Sequence, residues 1–333
     1  MKKTISFVCL MVLSIVSCFG FAGCGQKNKI IIHPDKEEYT VGIVQLVTHD
    51  ALDAATKGFK DALTEELAKE GKTVKFKEQN AAGDSTTCTT IANNFVAKKV
   101  DLIMANATAA LQASANATLN IPILGTSITE YGVALDLKNF DGVIGNNVSG
   151  TSDLAPLAEQ AEMMRTLMPE RKKIALLYCS GEPNSDYQVK AVKAELEKQE
   201  GYQCKTFSFT DSNDISSIVN GIVSEGYEAV YIPTDNTAAS NSAVIDSILR
   251  PARIPVFAGE EGICKGCGFA TLSISYYNIG KKTGEMAAEV LLGKTDITKL
   301  AIQYDEAPVK KYHAARCSAF GITIPEGYVA IEE

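Results

Sequence analysis

The run VGIVQLV (residues 41–47) is apolar at every position except Gln45, and its reading decides the rest. A strand with one wet face alternates apolar and polar residues. A strand that is apolar almost throughout belongs in a parallel sheet covered on both faces. After it the period changes. Across residues 49–67 the apolar positions Leu52, Ala55, Phe59, Leu63 and Leu67 recur every three or four residues, which predicts a helix packed by one face. Strand then helix is the first half of a β-α-β unit.

The unit repeats along the chain. Further strands are expected at 73–77, 101–105, 122–125 and 143–148, with helices at 86–96 and 109–119. The alternation then restarts, with Asp153 expected to cap a helix running to Met168. Strands at 173–179, 203–209, 229–233 and 255–258 alternate with helices at 185–198, 215–224 and 238–249, before a strand at 269–275 and a helix at 278–292. Two such runs predict an α/β chain of two doubly wound parallel-sheet lobes. Right-handed crossovers collect the strand C-termini on one edge of each lobe. Ligands of open α/β sheets bind outside those ends, so the expected site is a cleft between lobes that close about a hinge.

That rule selects the candidates. In the first lobe they are Gln45, His49, Asn106, Thr108, Thr126 and Ser127; in the second, Glu182, Asn184, Ser185, Asp235, Asn236 and Glu260. Hydroxyls and free N–H groups at helix N-termini favour a carboxylate, and Thr108 with Thr126/Ser127 is expected at two such termini. Glu182 and Asp235 opposite them are acceptors for an ammonium group. Together the two halves describe an α-amino acid. The same residue types are ordinary helix caps, so the weight falls on the set rather than on each member.

Catalytic constellations are sparse. The chain has three histidines, His33, His49 and His313, and no nucleophile elbow, Walker loop or H-E-x-x-H motif. The alternative of another class is an exported hydrolase using Glu182 and Asp235 as an acid pair. The formal charge of −8 and the lack of a basic stripe argue against a nucleic-acid partner. No cofactor is implied. Six cysteines follow Cys24: Cys88, Cys179, Cys204, Cys264, Cys267 and Cys317. Cys264-Lys-Gly-Cys267 lacks the second pair of a zinc site, which leaves free or disulfide-linked thiols.

The N-terminus has the layout of a secretory signal: Lys2 and Lys3, an apolar stretch over 5–21, then Ala22 and Gly23 before Cys24. Ala22-Gly23-Cys24 resembles a lipobox, in which Cys24 is lipidated and becomes the first mature residue; Cys18 is a second candidate. Residues 1–23 are then a signal peptide and 24–38 a tether. The lobes are expected as 39–149 with 273–303 and 150–272 with 304–333.

VGIVQLVTHDALDAATKGFKDAL, EQNAAGD, FVAKKVDLIMANATAALQASANAT, NNVSGTSDLAP, SGEPNSDYQV, AVYIPTDNTA, IPVFAGEE and SYYNIGKKTGEMAAEVLLGK stand in the order found in a known family. The chain resembles ABC-transporter substrate-binding proteins of the type I periplasmic-binding fold, in the branch for tryptophan, tyrosine and phenylalanine. SGE-x-NS and PTDN are its more specific motifs. The resemblance implies a monomeric extracytoplasmic receptor that serves a membrane permease and its ATPase. It implies that Thr108, Thr126 and Ser127 hold the ligand backbone, faced by Glu182, Asn184, Asp235 and Asn236. Gln45, His49 and Asp153 would border the side chain. Two cleft loops depart from the family pattern, LGTSITEYG (124–132) and GICKGC (262–267), which keeps another amino acid or a small organic acid open. Tyr131, Tyr276 and Tyr277 are the aromatic candidates beside them.

Overall fold

The computed structural model describes residues 30–304 and 308–332. The expected signal segment, Cys18, Cys24 and the start of the tether lie outside them. The opening run forms β1 (Glu38–Gln45), whose side chains split between two cores. Tyr39, Val41 and Ile43 enter one cluster, and Val44 enters another on the opposite face.

The first run continues through α1 (Asp50–Lys69), β2 (Thr73–Asn80), α2 (Ser85–Ala97), β3 (Leu102–Asn106), α3 (Thr108–Ala117), β4 (Ile123–Ile128), α4 (Tyr131–Ala134) and β5 (Val148–Ser152). The second comprises α5 (Leu157–Leu167), β6 (Lys173–Cys179), α6 (Pro183–Glu197), β7 (Gln203–Phe209), α7 (Ile215–Ser224) and β8 (Ala229–Ile232). It ends with α8 (Asn236–Ser240), α9 (Ser242–Leu249), β9 (Val256–Ala258), α10 (Glu261–Gly266) and β10 (Ala270–Ser273). After these come α11 (Tyr276–Leu291), β11 (Gln303–Tyr304), β12 (Val309–Tyr312), α12 (Ala314–Phe320) and β13 (Val329–Ala330).

Two sheets result. The first has the order β11-β5-β4-β3-β1-β2 and is parallel throughout. The second has the order β13-β12-β10-β9-β8-β6-β7, with β10–β12 its antiparallel pair. The chain passes from first sheet to second after β5, returns after β10, and passes over again between β11 and β12. The return is fixed by a tight helix pair. A Cβ on Gly280 of α11 would stand 2.0 Å from the Ala55 carbonyl oxygen, and one on Gly58 of α1 2.1 Å from that of Tyr277. Only hydrogen at these positions lets the two backbones touch.

Several expectations shift. Residues 143–148 do not form the closing strand: Val143 makes a single bridge to Ala301, Gly145 turns the chain at φ 83°, and β5 starts at Val148. β5 therefore straddles the 149/150 division and pairs with β4 and β11 in the first sheet. Asp153 caps no helix, because Pro156 holds the chain extended before α5. The helix expected over 238–249 is broken at Asn241, whose side chain donates to the Thr237 carbonyl at 2.8 Å. GICKGC is largely a helix, α10, where the sequence reading left a loop.

Candidate ligand site between the lobes

The strand ends of the two sheets face each other across a narrow cavity. His49 and Leu52 line it from α1, and Ser127 from the end of β4. Asp153 and Tyr276 come from the two crossovers, and Asn184, Thr234, Asp235, Asn236, Ala239 and Glu260 from the second lobe. The side chains close in on one another, leaving about 10 Å³, room for about one water molecule. Larger surface clefts, such as one between α1 and β2 lined by Lys57, Lys60 and Glu78, are wide open. Cross-lobe hydrogen bonds hold the walls together. His49 Nε2 meets Asn236 Oδ1 at 3.2 Å, and the Thr129 and Thr234 hydroxyls meet at 3.2 Å. Gln188 Nε2 donates to both, at 3.4 and 2.6 Å.

Polar side chains that are buried normally find hydrogen-bond partners. Among the described residues eight buried side-chain atoms have none, and four belong to this lining: His49 Nδ1, Ser127 Oγ, Asp153 Oδ1 and Asn184 Oδ1. Their chemistry can be assigned. Asn184 Nδ2 donates to the Thr234 carbonyl at 2.9 Å, so its free Oδ1 is an acceptor. Asp153 Oδ2 accepts from the Tyr276 hydroxyl at 2.9 Å, leaving Oδ1 open. Burial pushes the Asp153 carboxyl up to about 6, against the pull of the Tyr276 and Thr129 hydroxyls. Burial lowers the His49 pKa, which favours the neutral ring. Ser127 is held at φ 57°, a left-handed conformation uncommon for serine, at the register shift between β4 and β5. Ionised Asp153, Asn184 Oδ1 and a neutral His49 nitrogen make the cavity rich in acceptors. Such a wall suits a cation with several N–H donors.

The second-lobe acids are employed differently. Glu182 takes four close bonds: the Asn236 amide N–H and Nδ2 at 3.0 and 2.7 Å, and the Thr237 amide and hydroxyl at 2.9 and 2.8 Å. Asp235 accepts from the Cys179 N–H at 2.6 Å and the Ala238 N–H at 2.8 Å. Burial and then the Glu182 charge raise its pKa, opposed by those two amides. Glu260 takes the Gly262 and Ile263 N–H groups, and burial pushes it up to about 7. Both carboxylates of the expected acid pair are thus engaged by donors of their own lobe, Glu182 by four close ones and Asp235 by two backbone N–H groups.

Other candidates fall outside the cavity. Gln45 bonds Asp53 at 2.6 Å and Thr56 at 2.7 Å beneath α1. Asn106 Nδ2 ties to Leu52 and Thr56 at the same helix. Thr126 is a buried strand residue bonded to Thr151 at 3.3 Å, and neither it nor Ser127 sits at a helix N-terminus. Thr108 begins α3 and is buried; Ser185, buried in the first turn of α6, stands behind the lining, its hydroxyl taking a 3.4 Å contact from Asn184 Nδ2. Tyr131 is core, its hydroxyl donating to the Thr151 carbonyl, and Tyr277 points outward to Asp61. Of the three tyrosines, Tyr276 reaches the cavity. Leu52 and Ala239 were missed: Leu52 stands on the helical stripe read as core packing, and Ala239 lies in an expected helix with no polar group to single it out. The six described cysteines are buried free thiols.

The model of the ABC transporter substrate binding protein family matches residues 40–315. The chain belongs to this family. These binding proteins are receptors that work outside the cytoplasm, and no described helix is long and apolar enough to cross a membrane. A relative in Clostridioides difficile (strain R20291), named a tyrosine-binding protein, is 35% identical over 297 residues, spanning 88% of this chain and 85% of its own. A solved structure from Streptococcus pneumoniae, in complex with L-Trp, is 32% identical over 88% of this binding protein and all of that chain, with a TM-score of 0.82. The ligand-free, open structure of a Clostridium difficile substrate-binding protein with adhesive properties is also 32% identical over 88% of this chain and 99% of its own, yet its TM-score is 0.65. This binding protein has its lobes closed, in keeping with its cross-lobe hydrogen bonds.

Proposed function

We propose that this binding protein receives an aromatic L-α-amino acid, tyrosine or tryptophan, and delivers it unchanged to the permease and ATPase of an ABC importer. The observation that carries the reading is the convergence of four unpartnered polar atoms on one closed cavity. In this reading the ligand's ammonium group lies against Asp153 Oδ1 and Asn184 Oδ1. The Ser127 hydroxyl donates to its carboxylate, and the ring lies along Leu52, Ala239 and the face of Tyr276. The relatives named for tyrosine and solved with L-Trp support the ligand class. The receptor acts as a monomer, without catalysis, tethered through lipid on Cys24; acyl chains contribute about 0.8 kcal/mol per buried CH₂.

A thermal-shift panel of the twenty L-amino acids and the D-enantiomers of the aromatic three tests the reading. A ligand at about 100 Kd stabilises by about 2.7 kcal/mol, a rise of several degrees in a chain this size. L-tyrosine or L-tryptophan should give that rise and the D-forms none. Unchanged melting with all three aromatic L-amino acids rejects the ligand assignment.

A further inference from the structure

We infer that His49 reads the ligand's side chain and selects an aromatic ring that carries its own hydrogen-bond donor, a phenol or an indole, over a bare phenyl ring. This deepens the proposed amino-acid reading of the site and rests on it.

The tautomer of His49 is set from the second lobe. Glu182 Oε2 accepts from Asn236 Nδ2 at 2.7 Å and from the Asn236 N–H at 3.0 Å while Oε1 accepts from the Thr237 N–H and hydroxyl, so only the amino end of the Asn236 side chain can face it. Its Oδ1 therefore faces His49 Nε2 at 3.2 Å, and that nitrogen carries the proton. In the neutral ring Nδ1 is then a lone-pair acceptor. It is buried in the lining and has no partner. A buried acceptor left unmatched costs free energy, while one that is met returns it. The site thus penalises an occupant that brings no donor to this point.

Position separates His49 from the ammonium end. Asp153 and Tyr276 join the two crossovers through their 2.9 Å bond, at the hinge floor. His49, on the other hand, bonds across to Asn236 of the second lobe, and with Ala239 it also borders an outer cleft lined by Thr48, Ser240 and Lys265. Leu52, about one helical turn along α1 from His49, adds an apolar side chain to the same lining. An amino acid whose ammonium group rests on the floor directs the far edge of its ring towards His49. Phenylalanine presents C–H there, whereas tyrosine presents O–H and tryptophan N–H.

The test is titration calorimetry with two matched pairs. These are L-tyrosine against L-phenylalanine, and L-tryptophan against β-(3-benzothienyl)-L-alanine, in which sulfur replaces the indole N–H. The wild-type protein should prefer the donor-bearing member of at least one pair by about tenfold or more. His49→Leu should bring that pair within about threefold, and His49→Gln, which restores an acceptor, should recover part of the gap. Two results overturn the inference: wild-type affinities within about threefold in both pairs, or His49→Leu weakening both members of a pair equally, which would give His49 the ammonium or closure alone. If wild-type protein binds none of the four, the amino-acid reading itself falls and this inference with it. The wild-type comparison needs no variant to fold.

Discussion

The carboxylates on the two sides of the cavity are alike in burial and opposite in use. Glu182, Asp235 and Glu260 in the second lobe spend their oxygens on N–H groups at the starts of α8 and α10 or the end of β6. Asp153, on the first crossover, takes the Tyr276 hydroxyl as its one close partner, with the Thr129 hydroxyl near, and Oδ1 faces the cavity with no hydrogen bond of its own. A buried acid at a strand end is therefore either a structural cap or a ligand contact, and partner counting tells which. The second-lobe acids build the wall; Asp153 is left to face what enters.

The widest break between the two kinds of acid should come from Asp153→Asn. Truncating one member of a buried charged pair costs about 2–5 kcal/mol of affinity, or about 30-fold to several thousand-fold. Ligand-free stability should hold or rise, since an incompletely paired buried charge is removed. Calorimetry with the preferred aromatic amino acid and melting of the ligand-free protein measure the two halves separately. Retained affinity would make Asp153 another structural acid.

The difference between these acids explains what the sequence could and could not disclose. The two lobes were legible because VGIVQLV and its successors are continuous apolar runs, and the helices between them keep their period. The edge of the sheets that carries the site followed from topology. Seven of the thirteen candidates line the cavity: His49, Ser127, Asp153, Asn184, Asp235, Asn236 and Glu260. Spacing cannot report whether a side chain is already engaged, so Gln45 and Asn106, tied down beneath α1, were indistinguishable from Ser127. Asp153 read as a cap because Ser-Asp before a helical pattern usually is one; Pro156, three residues later, was the overlooked signal. The ammonium site accordingly moves from Glu182 and Asp235 to Asp153 and Asn184 in the proposed binding mode.

A smaller effect, on stability, should follow from Asp235→Ala. It uncaps α8, at about 1 kcal/mol, and leaves the buried Cys179 N–H unpaired, at about 1–3 kcal/mol. Denaturant unfolding should show a loss of about 2–4 kcal/mol. Affinity should fall less than it does in Asp153→Asn. The reverse pattern, full stability with abolished binding, would place Asp235 with Asp153 and dissolve the contrast.

The mildest perturbation is pH, and its sign distinguishes the empty from the occupied state. The Asp153 pKa stands at about 6 against an ordinary 3.8, so the folded chain holds this proton more tightly than the unfolded one. Its stabilising contribution is full below about pH 3.8 and is lost as pH rises through about 6. Glu260, at about 7 against 4.5, extends the decline. Ligand-free melting should therefore drop between about pH 4 and 7 on account of these two groups. An ammonium ligand needs Asp153 ionised, so affinity should rise over the same window, by up to about tenfold per pH unit below the Asp153 pKa. The melting shift caused by the preferred amino acid should be larger at pH 7.5 than at pH 5. Asp153→Asn should flatten that dependence while leaving the part due to Glu260 in the ligand-free curve. A ligand-induced shift that is equal at both pH values in the wild-type protein would show that the ammonium group rests elsewhere.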